Sequence, residues 1–257
     1  MGALEQALRL RIDGGGKAFV PYVTGGYPGV DAALLRAVAE AGADAIEVGV
    51  PHSDPVMDGG VIQQASTAAL AAGIRPTDVL AEIREASLPV PVAVMTYANI
   101  VLRRGVDEFL DEAAGSGVAG MIVPDLPVDE AEAFERACAA RDIDGILLAA
   151  PGASPDRLAA IGASARGFVY CVATYGVTGA RDALGSTARD LVTALRPLTG
   201  LPLLVGVGIG TPEQAREASG FADGVIVGSA LMARLVEGDR DGMLALARRI
   251  RAALPQA

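Results

Sequence analysis

The stretch Asp44-Ala-Ile-Glu-Val-Gly-Val-Pro-His-Ser-Asp-Pro-Val-Met-Asp-Gly-Gly60 indicates the fold of this chain most clearly. It joins a short apolar segment to a polar loop that carries two further acids. In a β-strand, successive side chains point to opposite faces. The side chains of one face are bulky and apolar: Ile46, Val48 and Val50. The opposite face is small except for the carboxyl group of Glu47, and the pattern predicts a strand that ends where the polar loop begins.

Similar apolar segments recur along the whole chain, with helical patterns between them. The eight predicted strands are Ala18–Thr24, Asp44–Gly49, Val90–Met95, Gly120–Val123, Gly145–Ala149, Gly167–Val172, Pro202–Val207 and Gly224–Val227. Eight strand–helix units in about 250 residues are typical of a (β/α)8 TIM barrel. We therefore predict an α/β protein in which residues 1–257 form a single barrel domain with an extra N-terminal helix. A doubly wound open sheet is the alternative, but it usually has fewer strands and an early glycine fingerprint.

The composition argues against several classes of partner. The chain has 31 acidic and 21 basic residues, and its net charge of −10 disfavours binding to nucleic acid or to an anionic membrane. No apolar run approaches the roughly 18 residues that a membrane span requires. Cys138 and Cys171 lack metal-binding spacing and lie in apolar segments, so we expect reduced thiols in a cytoplasmic protein.

Two rare residue types narrow the possible chemistry. His52 is the only histidine, so no zinc site built on several histidines can form within the chain, and no metal is expected. Lys17 is the only lysine, and it lies at the start of the first strand, opposite the end where barrel enzymes build their active sites. Schiff-base catalysis is therefore not expected either. The groups that remain available for catalysis are carboxylates, hydroxyls, backbone groups and arginine side chains.

Glu47 is the leading catalytic candidate. A carboxyl group on a largely apolar barrel face should have a raised pKa, which suits a general acid near neutral pH. The alternative is an acid that is solvated at the end of its strand.

Glycines follow the last two strands, where barrels commonly bind phosphate. Gly206-Val-Gly-Ile-Gly210 precedes a helix that Thr211 should cap, and Gly228 and Ser229 lead into another helix. Backbone N–H groups at helix starts attract anions, so even an acidic protein can bind a phosphorylated small molecule in this way. Alternatively, the glycines serve only to turn the chain.

Five motifs resemble those of the tryptophan synthase alpha subunit family, in one order along the chain. They are Phe19-Val-Pro-Tyr-Val-Thr-Gly-Gly-Tyr-Pro28, Glu47-Val-Gly-Val-Pro-His-Ser-Asp-Pro-Val-Met-Asp-Gly-Gly-Val-Ile-Gln63, Met95-Thr-Tyr-Ala-Asn99, Val123-Pro-Asp-Leu-Pro127 and Tyr175-Gly-Val-Thr-Gly179. The resemblance implies a carbon–carbon lyase of tryptophan biosynthesis that cleaves indole-3-glycerol phosphate to indole and glyceraldehyde 3-phosphate. It also implies a beta subunit partner in an alpha2beta2 heterotetramer, with pyridoxal phosphate in the beta subunit and no cofactor in this chain.

The same resemblance implies roles for individual residues. Glu47 and Asp58 match the two catalytic carboxylates, with Asp58 stabilising the indole N–H group. The residues that match substrate-binding positions are Tyr22, Tyr170, Thr178, Gly179, Gly208, Gly228 and Ser229. Those that match the face toward the beta subunit are Asp54, Asn99 and Pro127.

At three positions the chain departs from residues that are frequent in the family. Tyr22 and His52 stand where phenylalanine is frequent, and Val207 stands where an aromatic residue can occur. We therefore expect a substrate pocket of somewhat different shape, and His52 is interpreted as a loop or interface residue.

Simpler interpretations remain open for other candidates. Tyr170 could belong only to the core, Asp54 could cap a turn beside Pro55, and Asp125 could bind a ligand or hold loops together. For the whole chain, the alternatives are a stand-alone indole-releasing lyase, a non-catalytic activator of a beta subunit, and a sugar-phosphate isomerase or epimerase.

Overall fold

Eight parallel strands close into a barrel in the computed structural model of the chain. The structure describes residues 1–173, 184–206 and 208–256, with the backbone alone for 184 and 185. The strands are β1 (Ala18–Thr24), β2 (Ile46–Gly49), β3 (Val92–Met95), β4 (Val118–Ile122), β5 (Asp144–Ala149), β6 (Val169–Val172), β7 (Leu203–Gly206) and β8 (Gly224–Val227). β1 pairs with both β2 and β8, which closes the sheet. The predicted (β/α)8 TIM barrel is thereby confirmed.

Helices cover the outside of the barrel and one of its ends. Those of the described residues are α1 (Ala3–Asp13), α2 (Ala32–Glu40), α3 (Gly60–Ala71), α4 (Pro76–Ala86), α5 (Ala98–Arg104), α6 (Val106–Gly115), α7 (Glu132–Ala139), α8 (Pro155–Ser164), α9 (Leu184–Leu195), α10 (Pro212–Ser219), α11 (Ser229–Val236) and α12 (Arg240–Ala253). The first is the predicted extra N-terminal helix. Across the described ranges, no helix is both long enough and apolar enough to span a membrane.

The predicted strand boundaries agree with the structure to within two residues wherever both ends are described. Pro91 cannot donate a backbone hydrogen bond, and β3 begins only after it, at Val92. The helical segment between β4 and β5 is divided into two parts. A 3₁₀ turn (Val128–Glu130) comes first, with a hydrogen bond from the Glu130 N–H to the Pro127 carbonyl, and α7 begins after it.

The two faces of β2 enter different parts of the core. Ile46 and Val48 pack in the layer between sheet and helices, whereas Ala45 lies in the cluster that fills the barrel interior. Glu47 follows the alternation and faces inward with Ala45. The predicted difference between the two faces of β2 is thus confirmed. The inward face places one carboxyl group inside the barrel.

The N-terminal helix α1 closes the end of the barrel where the strands begin. Its Leu4 and Leu8 are fully buried in the interior cluster, together with Phe168 and Ile146. These apolar side chains plug the end of the barrel where the strands begin. The opposite end, where the strands finish, is the one left for loops and ligands.

Asp44, just before β2, links three elements around the plugged end. Its carboxylate accepts hydrogen bonds from Arg11 Nε on α1 at 2.7 Å, from Arg251 on α12 at 3.0 Å and from the Phe19 backbone N–H at 2.8 Å. The side chains of Asp44 and Arg251 are less than one-tenth exposed. Loss of one partner would therefore leave buried charge without compensation.

Asp44→Asn is expected to lower the free energy of unfolding by about 3 kcal/mol, because it leaves the buried Arg251 guanidinium without a carboxylate to compensate its charge. Urea denaturation followed by circular dichroism measures the change. The control is Asp13→Asn on the exposed end of α1, which should change stability by less than about 0.5 kcal/mol. Equal stability of Asp44→Asn and the wild type would show that the ion pair of Asp44 and Arg251 does not stabilise the fold.

Candidate active site

Glu47 lies inside the barrel near the end where the strands finish. It pairs in register with Tyr22 of β1 and with Ala93 of β3, and only 1% of its surface is exposed. Among the described residues, its Oε2 has no hydrogen-bond partner. Burial, and to a lesser extent the nearby Asp58 carboxylate, raises the pKa of Glu47 to about 8. The carboxyl group is thus held mainly in its protonated form at neutral pH, as the sequence predicted.

Asp58 lies in the loop between β2 and α3 and is held by Tyr97, which follows β3. The Tyr97 hydroxyl donates to Asp58 Oδ2 at 3.0 Å and accepts the backbone N–H of Met57 at 3.2 Å. Burial raises the pKa of Asp58 to about 6, against the opposing effects of the Tyr97 hydrogen bond and of His52. Asp58 therefore keeps its charge at a pH where Glu47 does not.

The different environments of these two carboxyl groups assign opposite protonation states to them. Between about pH 6 and pH 8, Glu47 is mainly protonated and Asp58 mainly ionised. Below this pH range Asp58 becomes protonated and loses its charge, and above it Glu47 becomes ionised. A pair of carboxyl groups whose pKa values are separated in this way can supply a proton donor and a fixed negative charge.

Two tyrosines line the space around Glu47, and glycines make room for their rings. A Cβ atom at Gly49 would collide with the Tyr22 hydroxyl, and one at Gly206 would collide with that of Tyr170. Burial, followed by the neighbouring carboxylates, raises the pKa of both tyrosines well above its usual value, so that both stay neutral. Tyr22 and Tyr170 are thus brought together with Glu47, and their predicted role in substrate binding stays a prediction.

The backbone after β7 and β8 has features that favour the binding of an anion. Gly208 has a positive φ of 92°, and Thr211 caps α10 in a capping box with Gln214. Gly228 is the N-cap of α11, so the first N–H groups of that helix, starting with Ser229, have no acceptor within the helix. These donors follow the carboxyl ends of β7 and β8, so they lie at the same end of the barrel as the Asp58 loop, which follows the carboxyl end of β2.

Some predicted site residues lie outside the described part of the chain. Thr178, Gly179 and Val207 are among them, and so is most of the long connection after β6. Within the described ranges, no group of three or more His, Cys, Asp or Glu side chains could hold a metal ion.

The three residues predicted to face a partner are all exposed at this end of the barrel: Asp54, Asn99 and Pro127. Apolar side chains are exposed near the first two of them: Val56, Met57 and Leu102. Asp125 accepts a hydrogen bond from the backbone N–H of Ala98 at 2.9 Å, so it holds the loops after β3 and β4 together.

Tyr97 is the site residue that sequence reasoning missed. It is 3% exposed, contacts Asp58 directly and stacks on His52, with ring centroids 4.4 Å apart. A signal existed, because Tyr97 directly follows a predicted strand at its carboxyl end, where barrel enzymes place functional side chains.

A closed barrel with two carboxyl groups of raised pKa near the end where its strands finish is typical of the class of TIM-barrel enzymes. Comparison with known proteins gives the family. A sequence model described as "Tryptophan synthase alpha chain" matches residues 11–253, and the chain belongs to that family.

Individual relatives agree with this assignment. The tryptophan synthase alpha chain of Synechococcus elongatus is 46% identical over 242 residues, covering 92% of this chain and 91% of the relative. That of Mycobacterium bovis is 47% identical over 224 residues, covering 86% and 83%. Among solved structures, Mycobacterium tuberculosis tryptophan synthase superposes with a TM-score of 0.91 at 39% identity, covering 100% of this chain and 99% of that one. The alpha subunit from Legionella pneumophila gives a TM-score of 0.89 at 32% identity and 98% coverage of both chains.

Tyr97→Phe is expected to raise the pKa of Asp58 above about 6, because it removes a hydrogen bond that favours the ionised carboxylate. The pH at the midpoint of the Asp58 titration should rise by about one unit, as measured by carbon-13 NMR of the aspartate carboxyl groups. Tyr27→Phe is the matched control, since the Tyr27 hydroxyl donates to the Leu235 carbonyl. An unchanged Asp58 titration in Tyr97→Phe would show that this hydrogen bond does not set its charge.

Proposed function

We propose that this chain cleaves indole-3-glycerol phosphate to indole and glyceraldehyde 3-phosphate by a retro-aldol reaction, with Glu47 and Asp58 as catalytic residues. The observation that carries the proposal is the buried Glu47 carboxyl group. It is 1% exposed, has a pKa raised to about 8, and has one oxygen without a partner among the described residues. Such a group is available to give a proton to a substrate atom inside the barrel.

The reaction begins with proton transfer from the Glu47 carboxyl group to C3 of the indole ring. Indole is a poor leaving group as a carbanion, so this protonation must precede cleavage. It converts the ring to an indoleninium cation, and the ionised Asp58 stabilises the N–H group of that cation.

Bond cleavage then supplies Glu47 with a second proton, while the first one stays on C3 of the indole. The ionised Glu47 removes the proton from the hydroxyl on the glycerol carbon attached to C3. The bond between that carbon and C3 breaks, its electron pair restores the indole ring, and the carbon becomes the aldehyde of glyceraldehyde 3-phosphate. Glu47 ends in the protonated state in which it began.

The rest of the site would hold the substrate for this chemistry. The rings of Tyr22 and Tyr170 would contact the indole, and the backbone at Gly208, Gly228 and Ser229 would bind the phosphate. From the resemblance alone, Gly179 is proposed to complete the phosphate end, and Thr178 is proposed to pack toward the active-site loop. Anchoring both ends of the substrate places the scissile bond at Glu47 without basic side chains.

A beta subunit is proposed as the partner that receives the indole, in an alpha2beta2 assembly. The exposed surface around Asp54, Asn99 and Pro127 supports this proposal, since it lies beside the Asp58 loop. Pyridoxal phosphate would belong to the beta subunit, whereas this chain would act as a single barrel domain without a cofactor of its own. A cytoplasmic location is proposed together with the pathway, consistent with the free, buried Cys138 and Cys171.

Glu47→Gln is expected to lower the kcat for indole release by about a hundredfold or more, because glutamine cannot give or take the proton. Glu135→Gln is a matched control: Glu135 is also buried with a pKa raised to about 7, but it packs against Gly145 at the start of β5. This control should keep near-normal turnover. Indole release from indole-3-glycerol phosphate by the purified chain measures both, and near-normal cleavage by Glu47→Gln would remove Glu47 from the mechanism.

Addition of a purified tryptophan synthase beta subunit is expected to increase indole release by the wild-type chain at least tenfold, because contact at the exposed loops would hold Asp58 in place. Asp54→Ala should weaken this activation, with less effect on the chain alone. Release that is equally fast with and without the beta subunit would instead favour a stand-alone lyase. Activation of the beta subunit without any indole release would favour a non-catalytic activator.

A further inference from the structure

His52 connects the exposed loop of the proposed partner surface to the interior residue that holds Asp58. Its Nδ1 lies 3.0 Å from the backbone nitrogen of Asp54, and its Nε2 lies 3.0 Å from Asn99 Oδ1. Its ring stacks on Tyr97 with an interplanar angle of 28°. The mechanism described above does not use these contacts.

The two hydrogen bonds determine which tautomer of His52 fits the structure. A backbone N–H group can only donate, so Nδ1 must accept from Asp54 and must carry no proton. Nε2 then carries the proton of the neutral ring and donates it to the Asn99 side-chain oxygen. The arrangement therefore requires the neutral imidazole with its proton on Nε2.

A second proton on this ring would break the arrangement. It would be added to Nδ1, where it would point at the N–H group of Asp54 and replace a hydrogen bond by a repulsive contact. Histidine is the side chain that ordinarily gains a proton just below neutral pH. The loop from His52 to Asp58 would then lose its attachment to the ring at Asp54.

The effect of this change can reach Asp58 through Tyr97. The Tyr97 ring lies under the imidazole, and its hydroxyl joins Asp58 to the backbone of Met57 in the same loop. A displaced loop would move Asp58 relative to its hydrogen-bond donor, although neither His52 nor Asn99 touches Asp58 in the contacts described.

The titratable groups around His52 are few. Asp54 and Asp58 belong to its own loop, and Tyr97 approaches it from the end of β3. Asp125, after β4, acts on Tyr97 and binds the backbone beside it. The positive charge of a protonated His52 would also favour the ionised form of Asp58. A loss of activity in acid would therefore come from displacement of the loop and not from this charge.

We propose that His52 is a positioning residue that holds the Asp58 loop in place only while its imidazole is neutral, so that acid slows substrate cleavage by releasing this loop. The proposal rests on the proposed function, because the effect is exerted on the reaction that Asp58 assists. It adds to the two carboxyl groups a third pH-sensitive residue, which lies beside the exposed surface.

The first test measures the tautomer directly. His52 is the only histidine, so a chain produced without a histidine tag gives the imidazole signals of this residue alone. Long-range proton–nitrogen NMR at neutral pH should show a single neutral tautomer with the proton on Nε2. A proton on Nδ1, or a mixture of tautomers like that of free imidazole, would overturn the proposal.

The second test compares kcat profiles from about pH 7.5 to pH 5.5 for two variants. His52→Asn keeps an oxygen that can accept a hydrogen bond from the Asp54 N–H, but this side chain gains no proton in acid. The kcat of His52→Asn should therefore fall less than that of the wild type as the pH is lowered. His52→Phe keeps the stacking and removes both hydrogen bonds, so its kcat should fall roughly fivefold throughout, with KM changed less than about twofold. Ser53→Ala, an exposed neighbour in the same loop, is the control and should follow the wild type.

The two proposals fail in different ways. Superimposable kcat profiles for the wild type and His52→Asn, together with normal indole release, would overturn the role of His52 and leave the proposed function intact. A rise in KM without a change in kcat in His52→Phe would also overturn the positioning role of His52, because that result is expected for a residue that binds the substrate. The absence of indole release by the wild-type chain, alone and with a beta subunit, would overturn both.

Discussion

A carboxyl group inside a closed parallel barrel loses the water that would otherwise keep it ionised. Glu47 is in this position, and the other features of the site depend on it. Period-two alternation along β2 turns its side chain inward, and closure of the barrel through β1 and β8 keeps it away from solvent. Asp58 is partly exposed in a loop and keeps its charge more easily. The difference in hydration between the two acids is what gives one the character of a proton donor and the other that of a fixed anion.

Asp44 and Glu47 are three residues apart and show two outcomes for an acid removed from water. Asp44 receives hydrogen bonds from two arginines and one backbone N–H group, so its charge is compensated and it contributes to the joining of α1, α12 and β1. Glu47 has an oxygen without a partner among the described residues. A compensated acid stabilises the fold, whereas an uncompensated one remains available to a substrate. The barrel separates these roles along its axis, with stabilising contacts at the plugged end and the proposed chemistry at the other.

Much of this arrangement could be predicted from the sequence, because it depends on local patterns. Strand periodicity located all eight strands and the inward direction of Glu47, and the spacing of Thr211 and Gln214 indicated the capping box that begins α10. Pairwise contacts between loops were beyond prediction. The hydrogen bond from Tyr97 to Asp58 joins residues 39 positions apart, and periodicity carries no information about such a contact. For the same reason, the two hydrogen bonds that fix the His52 ring became visible only in three dimensions.

The position of Lys17 has a practical consequence. Its amine donates to the Ala222 carbonyl at 2.7 Å, at the end of the barrel that α1 closes. No other side chain of this sequence carries a primary amine. Reagents that couple to lysine side chains would therefore attach the molecule to a bead or sensor surface by its closed end. Each immobilised copy would point its open end, with Asp54, Asn99 and Pro127, toward the solution and toward any protein that flows past.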